Sequence, residues 1–221
     1  MSGAIFLTLQ LAAVTTVLLL ILSMPLAWWL ATTRNRLRPV VEAVTALPLV
    51  LPPTVLGFYL LVLMSPDTPL GAAWVQVTGS TLAFSFAGLV VASVIYSLPF
   101  AVQPMQAAFQ SVDRQMTEAA ATLGATRGDV FRNVVLPLSR RGVLTAAVLS
   151  FAHTIGEFGV VLMVGGNIPG RTRTVSIEVF TAVETLDWAT AHRLSLGLLV
   201  FSLIVLIGVY ALNRRGAGRL G

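Results

Sequence analysis

Long runs without a charged residue constrain the fold of this 221-residue chain more than any other feature. Met1 to Thr33, Ala43 to Pro66 and Thr68 to Val112 each contain none. A hydrocarbon core about 30 Å thick needs roughly 20 apolar helical residues to cross it, so each run can hold a membrane span. The chain is 56% hydrophobic and only 10% charged, with a mean hydropathy of +0.87, a composition foreign to soluble domains. The pattern predicts an all-α, polytopic membrane protein with five transmembrane helices, near residues 6–31, 43–64, 81–105, 142–164 and 194–213. They form one transmembrane domain over 1–221. Val175 to Thr190 carries Glu178, Glu184 and Asp187 and reads as an amphipathic surface helix rather than a sixth span.

Charge then orients the spans. All fourteen basic residues are arginine. Short cytoplasmic loops are enriched in positive charge. With the N-terminus outside, Arg34, Arg36, Arg38, Arg114, Arg127, Arg132, Arg140, Arg141, Arg214, Arg215 and Arg219 fall inside. Only Arg171, Arg173 and Arg193 remain outside. The expected topology is N-out and C-in, with Arg214 and Arg215 stopping the fifth helix. Met1 to Gln10 lacks the basic start of a cleaved signal peptide, so the first helix is expected to stay.

Several chemistries are excluded early. Without cysteine there is no disulfide, thiolate zinc site, iron–sulfur cluster or cysteine nucleophile, and two histidines cannot build a histidine-rich metal centre. No GxxxxGK[ST] loop, GxGxxG turn, GxSxG elbow or HExxH pair occurs, so the chain is expected to bind neither nucleotide nor metal. Nothing points to nucleic acid.

Proline breaks point to transport. Pro48, Pro52 and Pro53 in the second span, and Pro99 and Pro104 in the third, remove backbone donors at membrane depth. Freed carbonyls are tolerated beside neighbouring helices or a water-lined path, and three prolines within six residues favour a functional bend over a packing kink.

The longest polar stretch lies between the third and fourth spans, about residues 106–141. Its residues predict two short helices joined at a glycine. Asp113 or Ser111 caps the first, left-handed Gly124 ends it, and Thr126 caps the second with Asp129 at its third position. Pro137 is expected to stop the second helix. Phe131, Val134 and Val135 would form an apolar stripe with no core of its own, an exposed finger that implies a partner groove.

Glu118-Ala119-Ala120, three residues, Gly124, nine residues and Val134-Val135-Leu136-Pro137 resemble the EAA loop of the permease subunits of binding-protein-dependent ABC importers, with Val134 where that pattern has Ile. The resemblance implies the type I importer permease fold and makes this finger a coupling helix seated in a cleft on a separate ATP-binding subunit. Glu118 would contact that subunit, together with Ala119, Ala120, Arg127 and Phe131; Gly124 would supply the turn, and Leu136 and Pro137 would anchor the return. ATP and Mg²⁺ would sit on the partner, so the permease is non-catalytic and binds no cofactor. Further implied partners are an external oxyanion-binding protein, a second permease copy in a homodimer, and the lipid of a bacterial or archaeal plasma membrane.

His153-Thr-Ile-Gly156-Glu157-Phe158-Gly159 and Gly165-Gly166-Asn167-Ile168-Pro169-Gly170-Arg171-Thr172 resemble the molybdate and sulfate branch of that family, the Asn-Ile-Pro-Gly form being more like the molybdate permeases. A carboxylate inside a span is costly and marks a functional candidate. Glu157 would nevertheless repel a divalent oxyanion at close range. The preferred reading places it near the outer helix end or at the dimer seam, bonded to freed backbone amides, with a gate as its secondary role. His153 lies one turn earlier on the same face. Neutral donors suit a conduit better: Thr54, Ser150, Thr154 and the amides around Pro52 and Pro53. Arg171 and Arg173 could meet an acidic binding protein.

Alternatives stay open at this point. A sulfate or thiosulfate permease would pair with a different permease subunit. A self-sufficient secondary transporter would couple protons through His153 and Glu157.

Overall fold

The computed structural model describes residues 2–217, and side chains over residues 3–211. Every regular element among them is helical. In chain order these are α1 (Ser2–Thr32), α2 (Arg38–Ala46), α3 (Pro53–Leu63), α4 (Pro69–Thr78), α5 (Phe86–Gln110), α6 (Arg114–Thr122), α7 (Arg127–Val130), α8 (Leu136–Leu138), α9 (Arg140–Gly156), α10 (Gly159–Gly165), α11 (Val175–Glu184) and α12 (Trp188–Ala217). A 3₁₀ turn, Leu47–Leu49, follows α2, and a π-turn, Phe131–Val135, links α7 to α8.

Three uninterrupted helices, α1, α5 and α12, are long and apolar enough to cross a membrane. Two bent pairs raise the count to five if each is one span. The second span is broken where the prolines stand: Pro52 leaves the helical region at ψ 132°, and the path turns by 107° into α3.

The other spans differ from expectation in instructive ways. The third helix starts at Phe86, not Thr81, because the Ser85 hydroxyl caps the Gly88 amide at 3.0 Å. It then runs through Pro99 and Pro104 to Gln110. The fifth begins earlier, at Trp188, where the Asp187 carboxylate accepts from the Thr190 amide at 3.1 Å. Its backbone stays helical to Ala217, so Arg214 and Arg215 end the apolar stretch without ending the helix. Their side chains, and all of Arg219, lie outside the described residues.

The fourth span is not one helix over 142–164. Helix α9 stops at Gly156, Glu157 is extended (φ −61°, ψ 132°), and α10 restarts at Gly159. Two glycines flank this break, where regular helical bonding is interrupted. The segment expected as a surface helix forms α11, which ends at Glu184 and buries Val175, Ile177 and Ala182.

Helices α1, α5 and α9 pack together as a central trio, with Leu19, Ala27, Leu30, Ala101, Val102, Met105 and Ala146 in its core. Beside it α3 packs on α10, and α10 on α5. Gly57 lets α3 and α10 approach: a β-carbon there would lie 2.7 Å from Met163 Cβ and 3.2 Å from Val160 Cα. Gly57→Leu is therefore expected to separate the two helices, at about 1–3 kcal/mol for overpacking or more; a fall in thermal stability in detergent checks this.

Candidate functional site

The finger between α5 and α9 begins with Asp113, whose carboxylate accepts from the Gln115 amide at 2.9 Å. Of the two expected caps it is therefore Asp113 that acts, while Ser111 donates back to the Ala108 carbonyl. Helix α6 ends at Thr122 with Leu123 as its C-cap, and Gly124 follows at φ +86° with nothing within 4 Å of a β-carbon placed there. Thr126 and Asp129 then close a reciprocal capping box: Thr126 Oγ1 accepts from the Asp129 amide at 3.2 Å, and Asp129 Oδ2 accepts from the Thr126 amide at 3.0 Å. The Thr126 hydroxyl and amide hold the Asp129 carboxyl below its ordinary range. This contribution to the cap is present above the unfolded carboxyl's titration range and is lost as pH falls through the lowered value.

Pro137 does not stop the second helix. The π-turn over Phe131–Val135 widens the backbone just ahead of it, and Pro137 occupies the first turn of α8, where a missing amide hydrogen costs little. The change of direction comes at Ser139, which donates to the Ala108 carbonyl at 3.1 Å, and the path bends there by 73°.

The apolar stripe is also not where the spacing puts it. Val130 and Val135 are buried, and Phe131 packs within the chain, tilted against Trp28 of α1 at 5.3 Å and edge-on to Phe109 of α5 at 5.7 Å between ring centroids. Trp28 and Phe109 meet edge-on at 6.0 Å. This aromatic triad roots the finger in the central trio. The face left open belongs to α6: Met116 is 52% and Leu123 88% exposed, with Ala119 between them on the same side. Glu118 sits beside that face, paired to Arg114 at 2.6 Å, while Ala120 is half-buried against the trio's core. Leu136 is half-buried and Pro137 exposed. Arg127 opens α7 and lines a cavity of about 650 Å³ with Trp28, Trp29 and Arg34. Phe131→Ala should loosen the finger's root, costing up to about 3 kcal/mol for an incompletely buried aromatic; faster proteolysis within 114–137 in the membrane-bound protein checks it.

The remaining sequence candidates divide. Pro53, Thr54, His153 and Glu157 line one cavity of about 490 Å³, where the break before α3 meets the break between α9 and α10. Thr154 lies behind it, 3.2 Å from the Ser97 hydroxyl. Ser150 is fully buried with its hydroxyl unbonded, and Pro52 is exposed at the start of α3.

Glu157 is met differently from the expectation. Its side chain is wholly buried, and its carboxylate accepts from serine hydroxyls of α5, Ser93 to Oε2 and Ser97 to Oε1, each at 2.5 Å. Backbone amides play no part in this pairing; the Glu157 carbonyl in turn accepts from the Ser176 hydroxyl. His153 Nδ1 stands 2.9 Å from Ser97 Oγ and 3.4 Å from Glu157 Oε1. Ser93, Ser97 and the rings flanking His153, Tyr96 and Phe100, went unnoticed in the sequence. The signal was available: two serines four residues apart share a face of an apolar helix, and a buried carboxylate requires donors.

Residues 20–217 match the family described as binding-protein-dependent transport system inner membrane component. The molybdenum transport system permease protein ModB of Azotobacter vinelandii is 57% identical over 98% of this chain and 96% of its own length. The ModB protein of Escherichia coli K12 is 35% identical over 98% and 96%. Among solved structures, the MetNI methionine ABC transporter in an inward-facing form superposes with a TM-score of 0.70 at 17% identity, covering 96% of this chain and 94% of that one. A bacterial alginate ABC transporter does so with 0.74 at 17%, covering 96% and 78%. At such identities these two speak for the fold alone. With the finger, the paired spans and a match over most of its length, the chain belongs to the binding-protein-dependent transport system inner membrane components.

Proposed function

We propose that this chain is the membrane-spanning permease subunit of an ABC importer that carries molybdate, or the isosteric tungstate, into the cytoplasm. It is a non-catalytic subunit, and ATP with Mg²⁺ is bound and hydrolysed by partner subunits. The observation that carries the cargo is the 57% identity, over nearly the full length, to a molybdenum permease. The finger carries the coupling: α6 presents Met116, Ala119 and Leu123 with Glu118 beside them to an ATP-binding subunit. The arginine bias places that finger in the cytoplasm, with the N-terminus outside and the C-terminus inside. Residues 1–221 act as one transmembrane domain. Two copies enclose the pathway between them, since one five-span protomer cannot surround it alone, and an external oxyanion-binding protein delivers the ligand.

The test is uptake of labelled molybdate by proteoliposomes holding this chain, its ATP-binding partner and the binding protein. Uptake that requires all three and persists in excess sulfate supports the reading. Equal competition by sulfate overturns the cargo, and uptake without the ATP-binding subunit overturns the importer.

A further inference from the structure

His153 and Glu157 are more than two polar residues one turn apart. Each Glu157 carboxylate oxygen takes one serine hydroxyl hydrogen. With Glu157 ionised, Ser97 gives its single hydrogen to Oε1, and the contact between Ser97 Oγ and His153 Nδ1 at 2.9 Å then needs the hydrogen on Nδ1. The order is Nδ1–H to Ser97, then Ser97 to Glu157. That leaves Nε2, which bonds nothing among the described residues, on a ring that is 21% exposed and lines the 490 Å³ cavity.

With Nδ1 occupied, Nε2 is a lone pair in the neutral ring and an N–H donor only in the imidazolium. A tetrahedral oxyanion offers acceptors alone. It therefore engages Nε2 of the cation and is repelled by that of the neutral ring.

We propose that protonated His153 is the oxyanion contact of the transport pathway, with Glu157 as its buried counter-charge and Ser97 holding the ring's orientation. This rests on the importer reading above and deepens it. Three further observations support it. Phe100 stacks on the imidazole with centroids 3.9 Å apart, and Tyr96 lies at 5.0 Å, aromatic faces that favour a cation. Thr54 joins the same cavity from the first turn of α3, adding its hydroxyl and its own amide, whereas the Val55 and Leu56 amides are already taken by the Pro52 carbonyl. Finally, the Glu157 side chain has no exposed surface, and its carboxylate is taken up by Ser93, Ser97 and the neighbouring imidazole, so its charge is offset within the protein.

The groups facing the imidazole from its surroundings are few. Glu157 comes from its own turn, and Tyr96 from α5. Helix α1 has no titratable side chain. On α11, Glu178 pairs with Arg173 at 3.8 Å, and Arg193 of α12 lines a separate cavity beside Ile155. Oxyanion affinity should thus weaken as pH rises and the ring loses its charge.

The chain has two histidines, which makes the test direct. The permease, labelled with ¹⁵N-histidine and assembled with its partners in nanodiscs, is followed by ¹⁵N NMR, with His192 as reference. Addition of molybdate should move the His153 Nε2 resonance from the unprotonated to the protonated position at a pH where the free site is neutral. In the uptake assay, His153→Gln should raise the half-saturating concentration roughly tenfold or more, the loss of one charge-assisted hydrogen bond, and flatten the pH profile. Glu157→Gln, which removes the counter-charge, should weaken uptake in the same direction. An Nε2 signal unmoved by saturating oxyanion, or a His153→Gln complex with the unmodified affinity and pH profile, overturns the proposal. Failure of the unmodified complex to take up molybdate overturns the cargo instead, and the NMR titration repeated with sulfate then decides the site by itself.

Discussion

Gly124→Pro is expected to abolish ATP-driven uptake while the chain still inserts into the membrane. The turn between α6 and α7 requires φ +86°, and proline is locked near −65°, so the two helices cannot keep their angle. The local cost is about 3 kcal/mol or more. It falls on a segment outside the central trio, so the spans survive and the contact with the ATP-binding subunit does not. Gly124→Asn separates geometry from side-chain bulk. Asparagine tolerates the left-handed region at about 1 kcal/mol or less, and nothing lies within 4 Å of the new β-carbon, so most uptake should remain. Parallel measurements of uptake and of co-purified ATP-binding subunit check both variants. A Gly124→Pro complex with normal uptake would remove the coupling role of the turn.

The second large effect is expected at the buried carboxylate. Ser93→Ala or Ser97→Ala alone removes one hydrogen bond to a charged group, about 1.5–3 kcal/mol. Both together strip Glu157 of its hydroxyl donors inside the bundle, and stranding a buried charge costs about 3–5 kcal/mol. The double variant should lose most folded protein in detergent. Adding Glu157→Leu to it should restore much of the stability without restoring transport, because an apolar group of similar size needs no donors. Thermal inactivation of the four variants beside the unmodified protein reads this directly. Equal stability of the double variant and the unmodified chain would mean that the serines do not hold the carboxylate.

Much of the finger is legible in the sequence because it obeys local rules. The cap of Asp113, the left-handed Gly124 and the box between Thr126 and Asp129 all depend on neighbours within four residues, and all are present. Charge-free runs located the long apolar helices α1, α5 and α12, but not where they begin and end. Arg214 and Arg215 mark where apolar composition stops, a boundary for solvent and not for backbone hydrogen bonding, so α12 runs on. Pro137 does not end the helix because it falls in the first turn of α8, after a π-turn that the sequence does not announce.

Contacts distant in sequence were harder to see. Phe131 looked like an exposed stripe since its cover, Trp28 and Phe109, comes from two other helices. Glu157 looked suited to backbone amides because a helix break frees them. Its actual partners stand 60 and 64 residues away on α5. Periodicity places a residue on a face, and only packing shows what that face meets.

The central claim is that α6 receives the motion of an ATP-binding neighbour, and the absence of cysteine lets one contact be read alone. Leu123, 88% exposed at the end of α6, is the position to use. Leu123→Cys carrying a short photoactivatable crosslinker, in the assembled complex with and without ATP, should link to the ATP-binding subunit, with a yield that changes on nucleotide binding. Crosslinks to lipid alone, or none beyond background in a complex that still transports, would contradict the account.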